Sequence, residues 1–239
     1  MNYALIFAGG TGQRMNSKSI PKQFLIVHNK PILIHTVEKF SRCKEIDGIV
    51  IVCYGPWVRK CEKMLKQYNV SKIIKVVNGG KNGQESIYNG LVALNETAKS
   101  SDIVLIHDGV RPLIQDKVIK ENISTVKTYG NAITSSKAIE TIITVENGEA
   151  NDILDRQCCF YARAPQSFVF DDIYNCHVRS RDEGLLNFID SASMMKYYGY
   201  TLHTVECGYD NIKITTPIDF FMFKGILDAR ENQQLKDIK

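Results

Sequence analysis

MNYALIFAGGTGQRMNSKSIPKQFL, residues Met1–Leu25, is the stretch that decides the fold. An apolar run, Tyr3–Phe7, enters a glycine-rich turn that carries Arg14, and Pro21-Lys22 follows eight residues after that arginine. Glycines let main-chain N–H groups approach a polyphosphate closely, and Arg14 and Lys22 add fixed positive charge beside it. The pattern predicts a nucleoside triphosphate site at the first strand–loop junction. The Ala8–Met15 loop fits neither GxGxxG nor GxxxxGK[ST], and Val52-Cys53 stand where a ribose-binding acid would follow a second strand. A dinucleotide cofactor is therefore disfavoured.

Outward from this loop, apolar runs alternate with amphipathic ones. Strands are expected at Tyr3–Phe7, Gly48–Cys53, Lys72–Val77, Asp102–His107, Ala132–Ser135 and Thr201–Glu206, and helices at Ile32–Phe40, Val58–Tyr68, Glu85–Ala98 and Lys117–Tyr129. This order predicts an α/β fold, a doubly wound, mostly parallel, Rossmann-like sheet with helices on both faces. Ligands of such sheets bind at the carboxyl ends of strands, so the loops after Phe7, Val77 and His107 should share one crevice.

One segment breaks the rhythm. Ile139–Val145 is β-prone, and Asn147-Gly148 separates it from Asp152–Leu154 and Cys158–Ala162, which marks a tight hairpin. Such a hairpin either projects as an arm at about 137–162 and packs on another subunit or folds against its own domain; the sequence leaves both open. The 239 residues contain no internal repeat or linker, so one domain is the simpler expectation.

Composition narrows the partners. The net charge of +4 suits small anionic substrates, and without a basic run it does not suggest a nucleic-acid track. No apolar run approaches the length of a membrane span and the chain opens directly on a strand, so a cytoplasmic protein with neither membrane span nor signal peptide is expected. Seven cysteines without a CxxC argue against a disulfide framework or a zinc site.

Four segments carry candidate chemistry. Beside the first loop, Asp102–Pro112 (DIVLIHDGVRP) places Asp108 at a strand's carboxyl end, where it either holds a divalent cation or caps the next helix. Arg111 lies three residues on, and His107 reads as a core or orienting residue. Gly79–Ser86 (GGKNGQES) either meets a base or ribose or serves as a loop and helix cap. Tyr209–Pro217 (YDNIKITTP) carries Asp210 and Lys213, with Thr216-Pro217 as a helix start. Arg156 and Arg163 read by default as surface residues.

In order and spacing, AGGTGxRM with PKQFL, GG-plus-Ser, HDxxRP, PQSF at Pro165–Phe168 and NIKITTP at Asn211–Pro217 resemble the nucleotidyltransferases that join CTP to a sugar-alcohol phosphate. Two branches compete, ribitol-5-phosphate and 2-C-methyl-D-erythritol 4-phosphate cytidylyltransferases. AGGTG, HTVEKF, APQSF and KITTP lean toward the ribitol branch. The resemblance implies attack of a polyol phosphate on the α-phosphorus of CTP. Arg14, Lys22 and Lys213 would stabilise charge there, and Phe7, Ala8, Gly9, Gly10, Gly80, Lys81 and Ser86 would hold CTP. Asp108 and Asp210 would sit by Mg²⁺. Arg111, Ala164, Ile189 and an Arg156 carried by a partner's arm would meet the acceptor, which implies a homodimer with a shared site.

The chain departs from the family pattern at three places. Gly83 stands where relatives carry arginine, Ala164 where they carry threonine before PQ, and Ile189-Asp190 where they carry Thr-Asp. The last two touch the acceptor in relatives, so the departures bear on the acceptor and not on the CTP chemistry. A catalytically silent nucleotide-binding module is the other class of reading. Joint retention of Arg14, Lys22, Asp108 and Lys213 argues against it.

Overall fold

The computed structural model describes residues 1–10 and 20–232; Arg14 lies outside them. Strand β1 (Asn2–Ala8) leads through a 3-10 turn (Lys22–Phe24) and a small ribbon, β2 (Ile26–Val27) and β3 (Lys30–Pro31), into helix α1 (Ile32–Arg42). There follow β4 (Gly48–Cys53), α2 (Val58–Gln67), β5 (Ile73–Asn78), α3 (Gly83–Leu94), β6 (Ile103–Asp108), α4 (Asp116–Tyr129) and β7 (Asn131–Lys137). The hairpin β8 (Ile143–Glu146) and β9 (Glu149–Ile153) precedes β10 (Phe160–Val169), α5 (Phe170–Asp182), α6 (Ser191–Tyr197), β11 (Thr204–Glu206) and α7 (Pro217–Glu231).

The main sheet has seven strands in the order β11-β7-β10-β6-β1-β4-β5. All run parallel except β10, which is antiparallel to both β6 and β7. The central strands are buried on both faces, which is why β4 (GIVIVC) and the first four residues of β6 (IVLI) read as apolar runs before His107-Asp108 ends the latter at the site. Alternate residues of β1 feed two cores. Ala4 and Ile6 pack with α1, α2 and α4, whereas Tyr3 and Leu5 pack with α3, α5 and α6. A third cluster seats Phe223 of α7 against Val27, Ile32, Val110 and Ile214.

Sequence signals at the helix ends are realised. Asn82 accepts a hydrogen bond from the Glu85 N–H at the start of α3, and Thr216 with Asp219 forms a capping box behind Pro217 at the start of α7. The expected strands and helices are present to within a few residues. The sequence reading missed α5, α6, the small β2–β3 ribbon and the full length of β10. Pro165 interrupts the β-prone pattern of β10, and its ladder with β7 shifts register between Ala162 and Gln166.

The hairpin has no place in the main sheet. It pairs only with itself, turning at Asn147 and Gly148 with φ of 52° and 87°, and every residue of its two strands is exposed. It therefore projects and does not fold against its own domain.

Candidate active site

The first loop is held from two sides. Gln23, buried in the 3-10 turn, donates from Nε2 to the Ala8 carbonyl at 2.7 Å and to the Gly10 carbonyl at 3.1 Å. This ties PKQFL back onto the end of β1 and sets half-buried Lys22 beside the loop. Phe24 stacks on Trp57 with ring centroids 4.6 Å apart, which anchors the same turn. On the other side a Cβ at Gly9 would come within 3.4 Å of the Gly79 Cα and 3.0 Å of Ser86 Oγ, so glycine is what lets the two loops approach.

Gly80 donates its N–H to Ser86 Oγ at 3.0 Å, and Ser86 Oγ donates to the Asn82 carbonyl at 2.8 Å. The Lys81 N–H donates to Glu85 at 2.7 Å. The Gly80–Ser86 loop is thus preformed by its own hydrogen bonds, and Lys81 borders a separate cavity of about 230 Å³.

The carboxyl end of β6 delivers Asp108 into a cluster of cations. Its Oδ1 accepts from Lys213 Nζ at 2.6 Å and its Oδ2 from Arg111 Nε at 2.8 Å. Burial alone would raise the carboxyl pKa, but Lys213 and Arg111 outweigh it and hold Asp108 at about 2. Arg111 and Arg163 both donate from Nη1 to the Asn211 carbonyl, at 2.8 and 3.2 Å, while the Asn211 side chain donates to the Ala164 carbonyl at 2.8 Å. Burial and the neighbouring Arg111 lower the pKa of Arg163. Three cations against one carboxylate leave an excess of positive charge beside a partly enclosed space, the condition for binding phosphate groups.

That space is a cleft of about 300 Å³, and it brings together six of the residues singled out from sequence: Phe7, Asp108, Arg111, Ala164, Ile189 and Lys213. Others lie elsewhere. Asp210 pairs with Arg230 at 2.5 Å and is not on the cleft wall. Arg156 lies exposed at the base of the hairpin, donating to the Ile139 carbonyl at 3.2 Å. His107 is fully buried beside Phe40 and held neutral, its pKa lowered to about 4 by burial, with Nε2 on the Arg111 carbonyl. It orients the Arg111 backbone, as its sequence context suggested.

Arg163, read from sequence as a surface residue, is instead a half-buried wall of the cleft, with Nε donating to Ser136 at 2.8 Å. The register shift in β10 turns it inward, and Pro165 inside a β-prone run was the available signal. Gln166 and Asp190 were also missed as a pair. Gln166 donates to Asp190 at 2.8 Å and accepts from the Ala192 N–H at 2.9 Å, locking the start of α6 to the cleft.

The sequence profile of the 2-C-methyl-D-erythritol 4-phosphate cytidylyltransferase (IspD) family matches residues 3–229. A ribitol-5-phosphate cytidylyltransferase of Vibrio parahaemolyticus is 48% identical over 236 residues, 98% of this chain and 99% of that protein. A 2-C-methyl-D-erythritol 4-phosphate cytidylyltransferase of Clostridium novyi is 40% identical over 229 residues, 95% of this chain and 96% of that one. The crystal structure of the Francisella tularensis 2-C-methyl-D-erythritol 4-phosphate cytidylyltransferase superposes with a TM-score of 0.79 at 28% identity, covering 94% of this chain and 98% of that chain. Fold and sequence agree: the chain belongs to the 2-C-methyl-D-erythritol 4-phosphate cytidylyltransferase family of nucleotidyltransferases.

Proposed function

We propose that the protein transfers the cytidylyl group of CTP to D-ribitol 5-phosphate, giving CDP-ribitol and pyrophosphate for a wall or capsule polymer. The observation that carries this reading is the cation cluster Lys213, Arg111 and Arg163 around Asp108, in one cleft with Phe7 from the end of β1. Its support for ribitol over methylerythritol is the higher identity to relatives named for ribitol 5-phosphate.

In this reading a phosphate oxygen of the acceptor forms a bond to the α-phosphorus of CTP. The bond from that phosphorus to the β-phosphate bridging oxygen breaks, and pyrophosphate leaves with the electron pair. Such transfers depend mainly on positioning and charge neutralisation. Lys213, more solvent-accessible than Arg111 or Asp108, would meet the charge growing on the α-phosphate, with Arg14 and Lys22 on the nucleotide side. Arg111 and Arg163 would hold the acceptor phosphate, and Asp108 keeps Lys213 and Arg111 aimed before substrate arrives.

Asp108 is ionised and would give Mg²⁺ one carboxylate beside substrate phosphates and water, in exchange for Lys213 or Arg111, which occupy both of its oxygens in this structure. Bound there, the ion would neutralise triphosphate oxygens. Asp210 would have to leave Arg230 to join it.

The chain would work as a single nucleotidyltransferase unit in a homodimer. Its hairpin exposes Ile143, Val145 and Ile153, and an isolated two-stranded ribbon is marginal in water unless something covers it. A partner's hairpin would bring Arg156 to the acceptor. Among the described residues no helix is long and apolar enough to cross a membrane, which is compatible with the expected cytoplasmic location.

Pyrophosphate release with CTP, Mg²⁺ and a panel of polyol phosphates tests the reading. Turnover with D-ribitol 5-phosphate supports it, turnover only with methylerythritol phosphate replaces the acceptor, and CTP binding without turnover on any acceptor leaves a silent module.

A further inference from the structure

His177 lies on α5 with 1% of its surface exposed, and among the described residues neither of its ring nitrogens has a hydrogen-bond partner. A buried polar group left unpaired is uncommon enough in a folded protein to require a reason. The His177 nitrogens are closed to solvent, and the residue stands in the wall between two cavities. It lines the substrate cleft and also the neighbouring cavity that Lys81 and Tyr88 border.

Gln84 shares that double position, yet its polar atoms are spent. Nε2 donates to Ser180 Oγ at 2.7 Å and to the Leu185 carbonyl at 2.9 Å, and Oε1 accepts from the Phe188 N–H at 3.0 Å. Gln84 is therefore a fixed wall, and His177 beside it is the group with bonding capacity left over. Tyr88 stacks on the ring, with centroids 6.3 Å apart, and holds its plane.

The chemistry around His177 selects a ligand. None of the charged cluster Asp108, Arg111, Arg163 and Lys213 borders the second cavity, whose own cations are Lys81 and Arg181, so His177 stands on the flank of the cleft away from that cluster. The cleft also carries Ile87, Phe188 and Met194 on its wall. Burial, reinforced by the nearby Arg181 charge, lowers the pKa of His177 to about 4, so the ring is neutral. A neutral imidazole offers one donor and one acceptor, and the group that matches both is a hydroxyl. A phosphate or carboxylate would use only the donor.

From this juxtaposition we infer that His177 is a specificity-determining residue of the acceptor site, bonding a hydroxyl of the polyol chain remote from the phosphate. The inference rests on the polyol-phosphate reading above. It gives the cleft a polarity that a polyol phosphate shares: cations at one end for the phosphate, and an amphoteric ring among apolar side chains for the hydroxyl tail. The loss of hydroxyls at Ala164 and Ile189, relative to the family pattern, leaves His177 to supply polar recognition in the same cleft.

Kinetics of His177→Leu and His177→Gln on D-ribitol 5-phosphate, on deoxyribitol 5-phosphates and on CTP test it. His177→Leu should raise the KM for D-ribitol 5-phosphate about tenfold or more, with the CTP KM within about twofold. Gln, which also donates and accepts, should restore much of the loss. With the deoxyribitol phosphate that lacks the bonded hydroxyl, wild type and His177→Leu should be alike. Because Leu replaces an unpartnered buried imidazole, its melting temperature should equal or exceed that of wild type, the opposite of what a structural histidine would give. In the wild-type protein, adding D-ribitol 5-phosphate should move the His177 ring ¹⁵N resonances, a readout that needs no variant to fold. An unchanged acceptor KM, an equal change for both substrates, or unmoved ¹⁵N resonances while wild type turns over the acceptor overturns the inference alone. No turnover of any polyol phosphate by wild type overturns the functional reading and this inference with it.

Discussion

Asp108→Asn removes one negative charge from the cation cluster without changing its shape, and its consequence can be sized from the structure. The carboxyl pKa falls from 3.8 to about 2, which corresponds to roughly 2 kcal/mol of folded-state stabilisation at neutral pH. A second bound comes from what is left behind, since removing one partner of a buried ion pair typically costs about 3–5 kcal/mol. Here the larger figure is softened, because the Lys213 side chain is 40% exposed and its charge can turn to water. Arg111 cannot, with its side chain 10% exposed and its Nη1 held by the Asn211 carbonyl. The expected loss at pH 7 is therefore about 3 kcal/mol, a fall in melting temperature of roughly 6–12 °C for a chain of this size.

The pH dependence supplies the stricter test. A folded-state pKa below the unfolded one gives stabilisation that is complete above the unfolded value, near 4, and is lost as pH falls toward about 2. The gap between wild type and Asp108→Asn should thus be constant from pH 5 to 7. It should lose about half of the ionisation contribution by pH 3. Denaturant or thermal unfolding of both proteins at each pH measures it. An Asn variant as stable as wild type at pH 7, or a gap that widens on acidification, would refute the electrostatic account of the cluster.

Other perturbations probe separate parts of the molecule. Lys22→Ala should lower kcat on the order of a hundredfold, as loss of a transition-state charge contact does, and a near-normal kcat in steady-state assays would remove Lys22 from the chemistry. Arg156→Ala should raise the acceptor KM more than the CTP KM if the arm acts across a dimer; equal effects on both count against a trans-acting arm. His28 bridges Glu231 at 2.9 Å and Asp228 at 2.6 Å, clasping the β2–β3 turn to α7. Donating hydrogen bonds to Glu231 and Asp228 raises its pKa, so its stabilisation is full below about 6.5 and fades as pH rises through the elevated folded value. The melting difference between wild type and His28→Ala should accordingly shrink from pH 6 to 9; a difference that grows would contradict the ion pair.

The parts of the fold that were legible are those in which one physical rule dominates. Doubly buried strands such as β4 and the Ile103–Ile106 part of β6 are apolar on both faces, so they stand out as runs. The Asn147-Gly148 turn needs two positive φ values, so it is marked by residue type. Strand β10 obeys no single rule. It begins in the exposed arm, crosses a register shift and ends deep in the sheet, and its burial changes from exposed to buried along its length. Helices α5 and α6 mix apolar positions with polar residues that line the cleft, His177 and Ser191 among them, which blurred their period.

The same division runs through the site. Phe7, Asp108 and Lys213 are positioned by the ends of β1 and β6 and by the segment pinned through Asn211 to β10, where chain direction and register fix a side chain's place. Strand order therefore foretold the meeting of the loops after Phe7 and His107, and the family resemblance added Lys213 to them. Arg163 and His177 take their places from irregular geometry, a shifted ladder in one case and the wall between two cavities in the other. Neither sits in a motif that spacing could reveal. If catalysis depends on the regular half of the cleft and acceptor choice on the irregular half, then acceptor preference can change through β10 and α5 without disturbing the cations that meet the triphosphate. Relatives named for two different acceptors on one fold are what that separation would produce.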